Sequence, residues 1–117
     1  MTTIGTETFA NCVYLDTIII PNSVTTIGQS AFYYCNHLNN IVIPSSVTNI
    51  NALAFRACGG LSSVIVEATT PPTLGSSVFF DALSSMIIYV PSESVDTYKA
   101  ASGWSNYADK IQAIPLN

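Results

Sequence analysis

The amino-acid sequence predicts an α/β repeat: a short solenoid with a parallel β-sheet on one face, short helical turns opposite, and a C-terminal capping helix. Three observations lead to it. A pattern recurs at a shift of 23 positions, each copy joins an alternating apolar run to apolar residues spaced by three, and beyond Pro91 the pattern gives way to a segment with its own helix signals. Fixed periods of roughly 20–50 residues mark units that bury their apolar faces only by stacking on one another.

The recurrence is plain in Ile18-Ile19-Ile20-Pro21-Asn22-Ser23-Val24-Thr25-Thr26-Ile27-Gly28, which returns as Ile41-Val42-Ile43-Pro44-Ser45-Ser46-Val47-Thr48-Asn49-Ile50-Asn51. The same shift of 23 relates Ile4, Ile27 and Ile50; Phe9, Phe32 and Phe55; Cys12, Cys35 and Cys58; and Leu15, Leu38 and Leu61. A fourth copy is degenerate and one residue longer, since Val66 to Phe79 spans 13 positions where Ile43 to Phe55 spans 12. Pro71 and Pro72 place the extra residue in a surface loop. Ile4 already stands in mid-repeat, so residues 1–91 hold about four coils, the first incomplete.

Within a copy, alternation predicts a short strand with Ile18 and Ile20, Ile41 and Ile43, or Val64 and Val66 pointing inward. Pro21, Pro44 and Pro91 end these strands, because proline brings no N–H to a ladder. The run Ala31-Phe32-Tyr33-Tyr34-Cys35-Asn36-His37-Leu38 spaces its apolar residues by three and fits one or two helical turns. Stacked coils then lay Ile on Ile and Phe on Phe, with parallel strands ~4.8 Å apart. After Pro91, residues 92–101 predict a helix with Ser92 or Ser94 as N-cap. Glu93 and Asp96 near its start and Lys99 near its end suit the helix dipole. Val95, Tyr98 and Ala101 or Ala100 share one face, and Gly103 stops the helix.

Composition excludes several functions. Only 9% of residues are charged, the net charge is −4, and the cations are Arg56, Lys99 and Lys110 alone. No basic stripe exists to neutralise phosphates, so no nucleic-acid binding is expected. The longest purely apolar run, Met86 to Val90, is far too short for membrane insertion. The first five residues lack the charged and apolar regions of an export signal.

The three cysteines occupy one repeat column, whereas metal sites draw clustered ligands of several types. The expectation is an inward ladder of free, buried thiols, with no metal and no cofactor; parallel side chains also give poor disulfide geometry. His37 lies two residues from Cys35, and Asp16 would complete a nucleophile set, but the positions matching His37 are Tyr14 and Gly60. An outward His37 would not face an inward Cys35, so no catalytic residue is assigned. Gly5, Gly28 and Gly75 recur with the repeat and are read as turn residues. The candidate binding surface is the outward strand column Ile19, Val42, Ile65 and Tyr89, flanked by Thr17, Asn40, Ser63 and Ile87. The competing reading is that β-branched residues there only satisfy strand propensity. Tyr33, Tyr34, His37 and Arg56, from the turn side, are a second candidate patch, more polar and aromatic, against the reading that variable loop residues are simply solvated.

The pattern Ile-x-Ile-Pro-x-Ser-Val-Thr-x-Ile-Gly-x-x-Ala-Phe-x-x-Cys-x-x-Leu, over roughly residues 4 to 91, resembles the BspA-like leucine-rich repeat of bacterial surface proteins. The tail with Gly103-Trp104 and Ile111 is similar to the segment that closes many such arrays, and this likeness implies that residues 92–117 cap the array. The resemblance implies a non-enzymatic module for adhesion or protein interaction, placed at the cell surface or secreted, with a protein or cell-surface ligand. The chain is read as the C-terminal piece of a longer protein. Two alternatives stand beside this: a passive spacer or stalk, and a homodimer through the uncapped N-terminal coil or the sheet face.

Overall fold

The computed structural model describes residues 3–82 and 84–115 of the 117-residue chain; Met1–Thr2 and Leu116–Asn117, the ends of the two expected segments, lie outside the described residues. The strands are β1 (Thr3–Ile4), β2 (Thr26–Ile27), β3 (Asn40–Ile43), β4 (Asn49–Ile50), β5 (Ser63–Val66), β6 (Thr73–Leu74), β7 (Ile87–Val90) and β8 (Ile111–Ala113), with one α-helix, α1 (Val95–Ala100). They form two parallel sheets of four strands, in the orders β1-β2-β4-β6 and β3-β5-β7-β8. The molecule is thus an α/β repeat of parallel strands with few short helices.

The sequence period has become hydrogen-bonded register. Ile4 sits beside Ile27 and Ile27 beside Ile50 in the first sheet, and Ile41 beside Val64 in the second. The shift rises to 24 where Asn49 meets Thr73 and Ser63 meets Ile87, so the extra residue falls between Val66 and Thr73, in the proline loop. Along β3 and β5 alternate side chains turn inward, and Val24, Ile27, Phe32, Cys35, Leu38 and Ile43 of one coil are fully buried with their counterparts of the next. The Phe column stacks nearly face to face: centroids are 5.2 Å apart for Phe9 and Phe32, 5.1 Å for Phe32 and Phe55, and 5.7 Å for Phe55 and Phe79.

The architecture departs from the expected one in four places. The segments expected as helical turns are not helical. Their backbone bonds alternate: Thr8, Ala10 and Cys12 donate three residues back within the coil, while Glu7, Phe9 and Asn11 donate to Gln29, Ala31 and Tyr33 of the next coil at 3.0, 2.8 and 2.7 Å. Past its first turn, a true helix would use its N–H groups internally and leave none to alternate with its neighbour. The alternation requires positive φ twice per coil, at Glu7 and Asn11, Ser30 and Tyr34, Leu53 and Ala57, and Ser77 and Asp81. Each such residue costs about 1–2 kcal/mol, offset by inter-coil hydrogen bonds and the burial they permit. The Thr-Ile segment expected as turn instead builds the whole first sheet.

The run Ile18–Ile20 lies outside the second sheet. No backbone hydrogen bond joins it to β3 among the described residues; the nearest is Asn39 N–H to Asp16 O at 3.3 Å. With no strand on its other side among the described residues, it is held by its buried and half-buried side chains, Ile20 and Ile18, rather than by a ladder.

Pro91 does not end the periodicity, because Ile111 of β8 pairs beside Ile88, again 23 residues on. Between them the usual turn is replaced by α1 and by 3-10 turns at Ser92–Ser94 and Trp104–Lys110, so the residue columns vanish while the strand returns. Ser94 precedes α1 but does not cap it through its side chain; its hydroxyl donates to Thr69 O at 2.8 Å. Of the two alanines, Ala101 packs against the core and Ala100 is exposed.

Of the recurring glycines, Gly28 and Gly75 answer to close backbone approach rather than to a positive φ. A Cβ on Gly28 would stand 2.7 Å from the backbone of Gly5 and Ile4, and one on Gly75 would overlap the Ala52 nitrogen. The glycine at positive φ is Gly103, at +81°, beyond α1.

Candidate functional site

The second sheet turns its odd column outward. Register places Val42 beside Ile65 and Ile65 beside Tyr89, a continuous row across three strands, and the row ends at Gln112 of β8. Val42 is 43% exposed, and Ile65 and Tyr89 are half-buried. Asn40 and Ser63 flank it and bond each other, Ser63 Oγ donating to Asn40 Oδ1 at 2.6 Å, so their polar atoms are partly committed. Ile87 lies beside Ser63 in the same register. Ile19 is brought near the row but not into it, since its segment is unpaired; it is 89% exposed. The gap so left is an open groove of about 480 Å³ whose walls include Thr17, Ile19, Asn40, Val42, Pro44 and Glu67. A second hollow, about 420 Å³, lies between Val47–Asn49 and the proline loop.

On the turn side, Tyr33, Arg56 and Phe80 share one repeat column, with Tyr34 beside it and His37 exposed near the end of the turn. Phe80 and Tyr14, 50% and 91% exposed, were not singled out from sequence. Phe80 becomes visible there only when the 24-residue shift of the fourth copy is carried through to Arg56.

Cys35 and Cys58 are fully buried, and Cys12 in the first coil is half-buried. Each buried thiol donates to the Phe carbonyl of the preceding coil: Cys35 Sγ to Phe9 O at 3.0 Å, Cys58 Sγ to Phe32 O at 3.1 Å. Burial, the main cause, pushes the Cys35 thiol above its ordinary range and the Cys58 thiol to about 12. Thiolate chemistry at neutral pH is suppressed by such a shift, and the column is explained by a small buried donor feeding a carbonyl. His37 is exposed whereas Cys35 is buried, so the two do not face one another. Among the described residues no group of three or more His, Cys, Asp or Glu could hold a metal ion. No helix there is long and apolar enough to cross a membrane.

Beyond the last repeat turn, side chains take over the work of a further coil. Phe79 N–H, which has no turn coil to donate to, meets Tyr107 Oη at 3.4 Å, and the Tyr107 ring stands edge-on to Phe79 at 5.3 Å. Tyr98 Oη donates to Ala68 O at 2.6 Å and Trp104 Nε1 to Pro72 O at 2.8 Å, satisfying carbonyls of the proline loop. Both rings are fully buried and packed edge to face at 5.1 Å.

Parallel strands at a 23-residue shift, a Phe stack and a thiol ladder are repeat properties, and comparison with family models agrees: the model of the BspA type leucine-rich repeat region, six copies long, matches residues 1–102. The chain belongs to this family. Curated proteins yield no match. BspA-type repeats are protein-interaction units, so the exposed row of the second sheet and the aromatic turn column are the two surfaces to consider.

Proposed function

We propose that the chain is a solenoid module, residues 1–91, closed by a C-terminal cap, residues 92–117, that binds a partner protein through the outer face of its second sheet. We place it at the bacterial cell surface with a role in adhesion. The observation that carries the binding is the row Val42, Ile65 and Tyr89 beside the groove at Ile19: apolar side chains aligned by register, rimmed by the polar Asn40 and Ser63. An apolar centre with a polar rim is the composition of a protein interface. The cap reading is supported by Tyr98, Trp104 and Tyr107, which cover the last turn coil and its orphan groups.

The test is binding of bead-displayed chain to intact bacteria and to host epithelial surfaces, with the variant Ile19→Asn/Val42→Thr/Ile65→Thr. Threonine keeps β-branching, so the strands persist while apolar surface is lost. Loss of binding at an unchanged circular dichroism spectrum supports the sheet face; full retention favours the spacer reading. Protease shaving of intact cells tests location, and an unshaved protein contradicts it.

Self-association is favoured by one further observation. Phe9, Cys12 and Leu15 of the first coil are half-buried where Phe32, Cys35 and Leu38 are sealed, so that face offers core side chains to a second copy. Light scattering at several concentrations decides it, since a monomer throughout removes this reading.

A further inference from the structure

The turn face holds one cation in a fixed place. Arg56 follows Tyr33 by 23 residues and precedes Phe80 by 24, so stacking of the coils sets it between two rings. Its guanidinium carbon is 5.9 Å from the Tyr33 centroid and 5.2 Å from that of Phe80. Both lie within the reach of a cation–π attraction. Arg56 is the only cation before Lys99, and its side chain forms no hydrogen bond or ion pair with any described residue. None of the 7 acidic residues ties it down. The rings therefore fix the guanidinium while its N–H donors remain unspent.

The surroundings are exposed and aromatic. Phe80 is 50% and Tyr34 45% exposed. Tyr34 is held at φ +60°, an outlier for so bulky a side chain, with its ring 6.3 Å from that of Tyr33. Tyr and Arg grouped in this way are the residues that dominate protein-interface energetics.

We infer that Arg56, stacked between Tyr33 and Phe80, is an anchor for a carboxylate side chain of a partner protein, with Phe80 and Tyr34 covered by the apolar residues beside that carboxylate. Charge argues for the occupant. The chain carries a net −4 and its other two cations, Lys99 and Lys110, follow the last repeat strand, so Arg56 is the one cation of residues 1–91 and pairing with it sets register as well as attraction. A planar fork donates two parallel N–H bonds to the two oxygens of a carboxylate, a geometry a lone ammonium does not match. The site is separate from the sheet face and stands or falls apart from it.

The test is a titration of the 15N-labelled chain, following the Arg56 Nε–H resonance, with three probes: an acetylated hexapeptide of alternating Tyr and Glu, the same peptide with Gln for Glu, and a glucuronate-containing oligosaccharide. The Glu peptide is expected to shift Arg56 saturably, and the Gln peptide to bind at least about tenfold more weakly. Arg56→Gln should abolish the response, and Arg56→Lys should retain less than about a tenth of the affinity. Unmoved amides at Val42 and Ile65 verify that each variant is folded. Equal binding of the Gln peptide, full affinity in Arg56→Lys, no Arg56 shift with any probe, or a response to the oligosaccharide alone would each overturn the proposal.

Discussion

Replacing Phe55 by Ala should cost much more stability than the same change at Phe9, although the two occupy one repeat column. Phe55 is fully buried and stacked on both faces, on Phe32 at 5.1 Å and Phe79 at 5.7 Å. Truncating a core Phe costs about 3–5 kcal/mol, and each ring pair adds ~0.5–1.5 kcal/mol beyond buried area. Two pairs put Phe55 at the upper end, about 5 kcal/mol. Phe9 is half-buried with a single stack at 5.2 Å, so roughly half the area and one pair are lost, about 2 kcal/mol. Both variants delete the same group, so denatured-state contributions largely cancel in the comparison. Trp104, the single tryptophan, is fully buried at the far end of the array from Phe9 and reports global unfolding by its fluorescence. With a urea slope of about 1.5 kcal/mol per M, the ~3 kcal/mol difference becomes a midpoint about 2 M lower for Phe55→Ala. Equal midpoints at equal slopes would refute the stacked-column account, because they would mean the two positions bury the same surface.

Two further outcomes follow from the backbone and the thiols. Ala57→Gly should raise stability by about 0.5–1 kcal/mol, because Ala57 sits at φ +61°, whereas Ala54→Gly, at a buried position among the usual conformations, should lower it; thermal melts showing the same sign for both would count against the strain. Stability should be full below pH 9 and fall as pH rises toward 12. The Cys58 thiol, raised from 9.0 to about 12, keeps its proton in the folded chain while the unfolded chain releases it. That loses about 1.4 kcal/mol per pH unit for one thiol. Burial also raises Cys35 and Tyr98, which adds to the slope. A urea midpoint constant from about pH 8 to 11 would contradict this.

Much of the array was legible because its signals are columns. Ile4, Ile27 and Ile50, and Phe9, Phe32 and Phe55, repeat at 23 residues, and side chains that must stack on their own kind write their spacing into the chain. The extra residue near Pro71 was legible for the same reason. What deceived was local periodicity. Apolar spacing by three in Ala31-Phe32-Tyr33-Tyr34-Cys35 reads as helix, yet the backbone carries positive φ at Ser30 and Tyr34. Only Asn11 and Asp81 in that set of positions are residue types that favour the left-handed region. Of the candidate surface, the pairing of Val42, Ile65 and Tyr89 follows from register alone. The separation of Ile19 does not, because its strand residues are as good as those of β3 and only a missing ladder distinguishes them.

By itself, then, the sequence determined the family, the repeat length, the inward columns, the scarcity of cations and the shortness of every apolar run, since these depend on composition and on residues opposing their own copies. Tertiary structure alone decided that the repeat builds two sheets, that the turns bond across coils, that β8 restores the strand after α1, and that Arg56 lies between Tyr33 and Phe80. The physical reason is common to all four. Each depends on where backbone N–H and C=O groups or rings from different coils meet, and those meetings are set by stacking geometry that no single coil encodes.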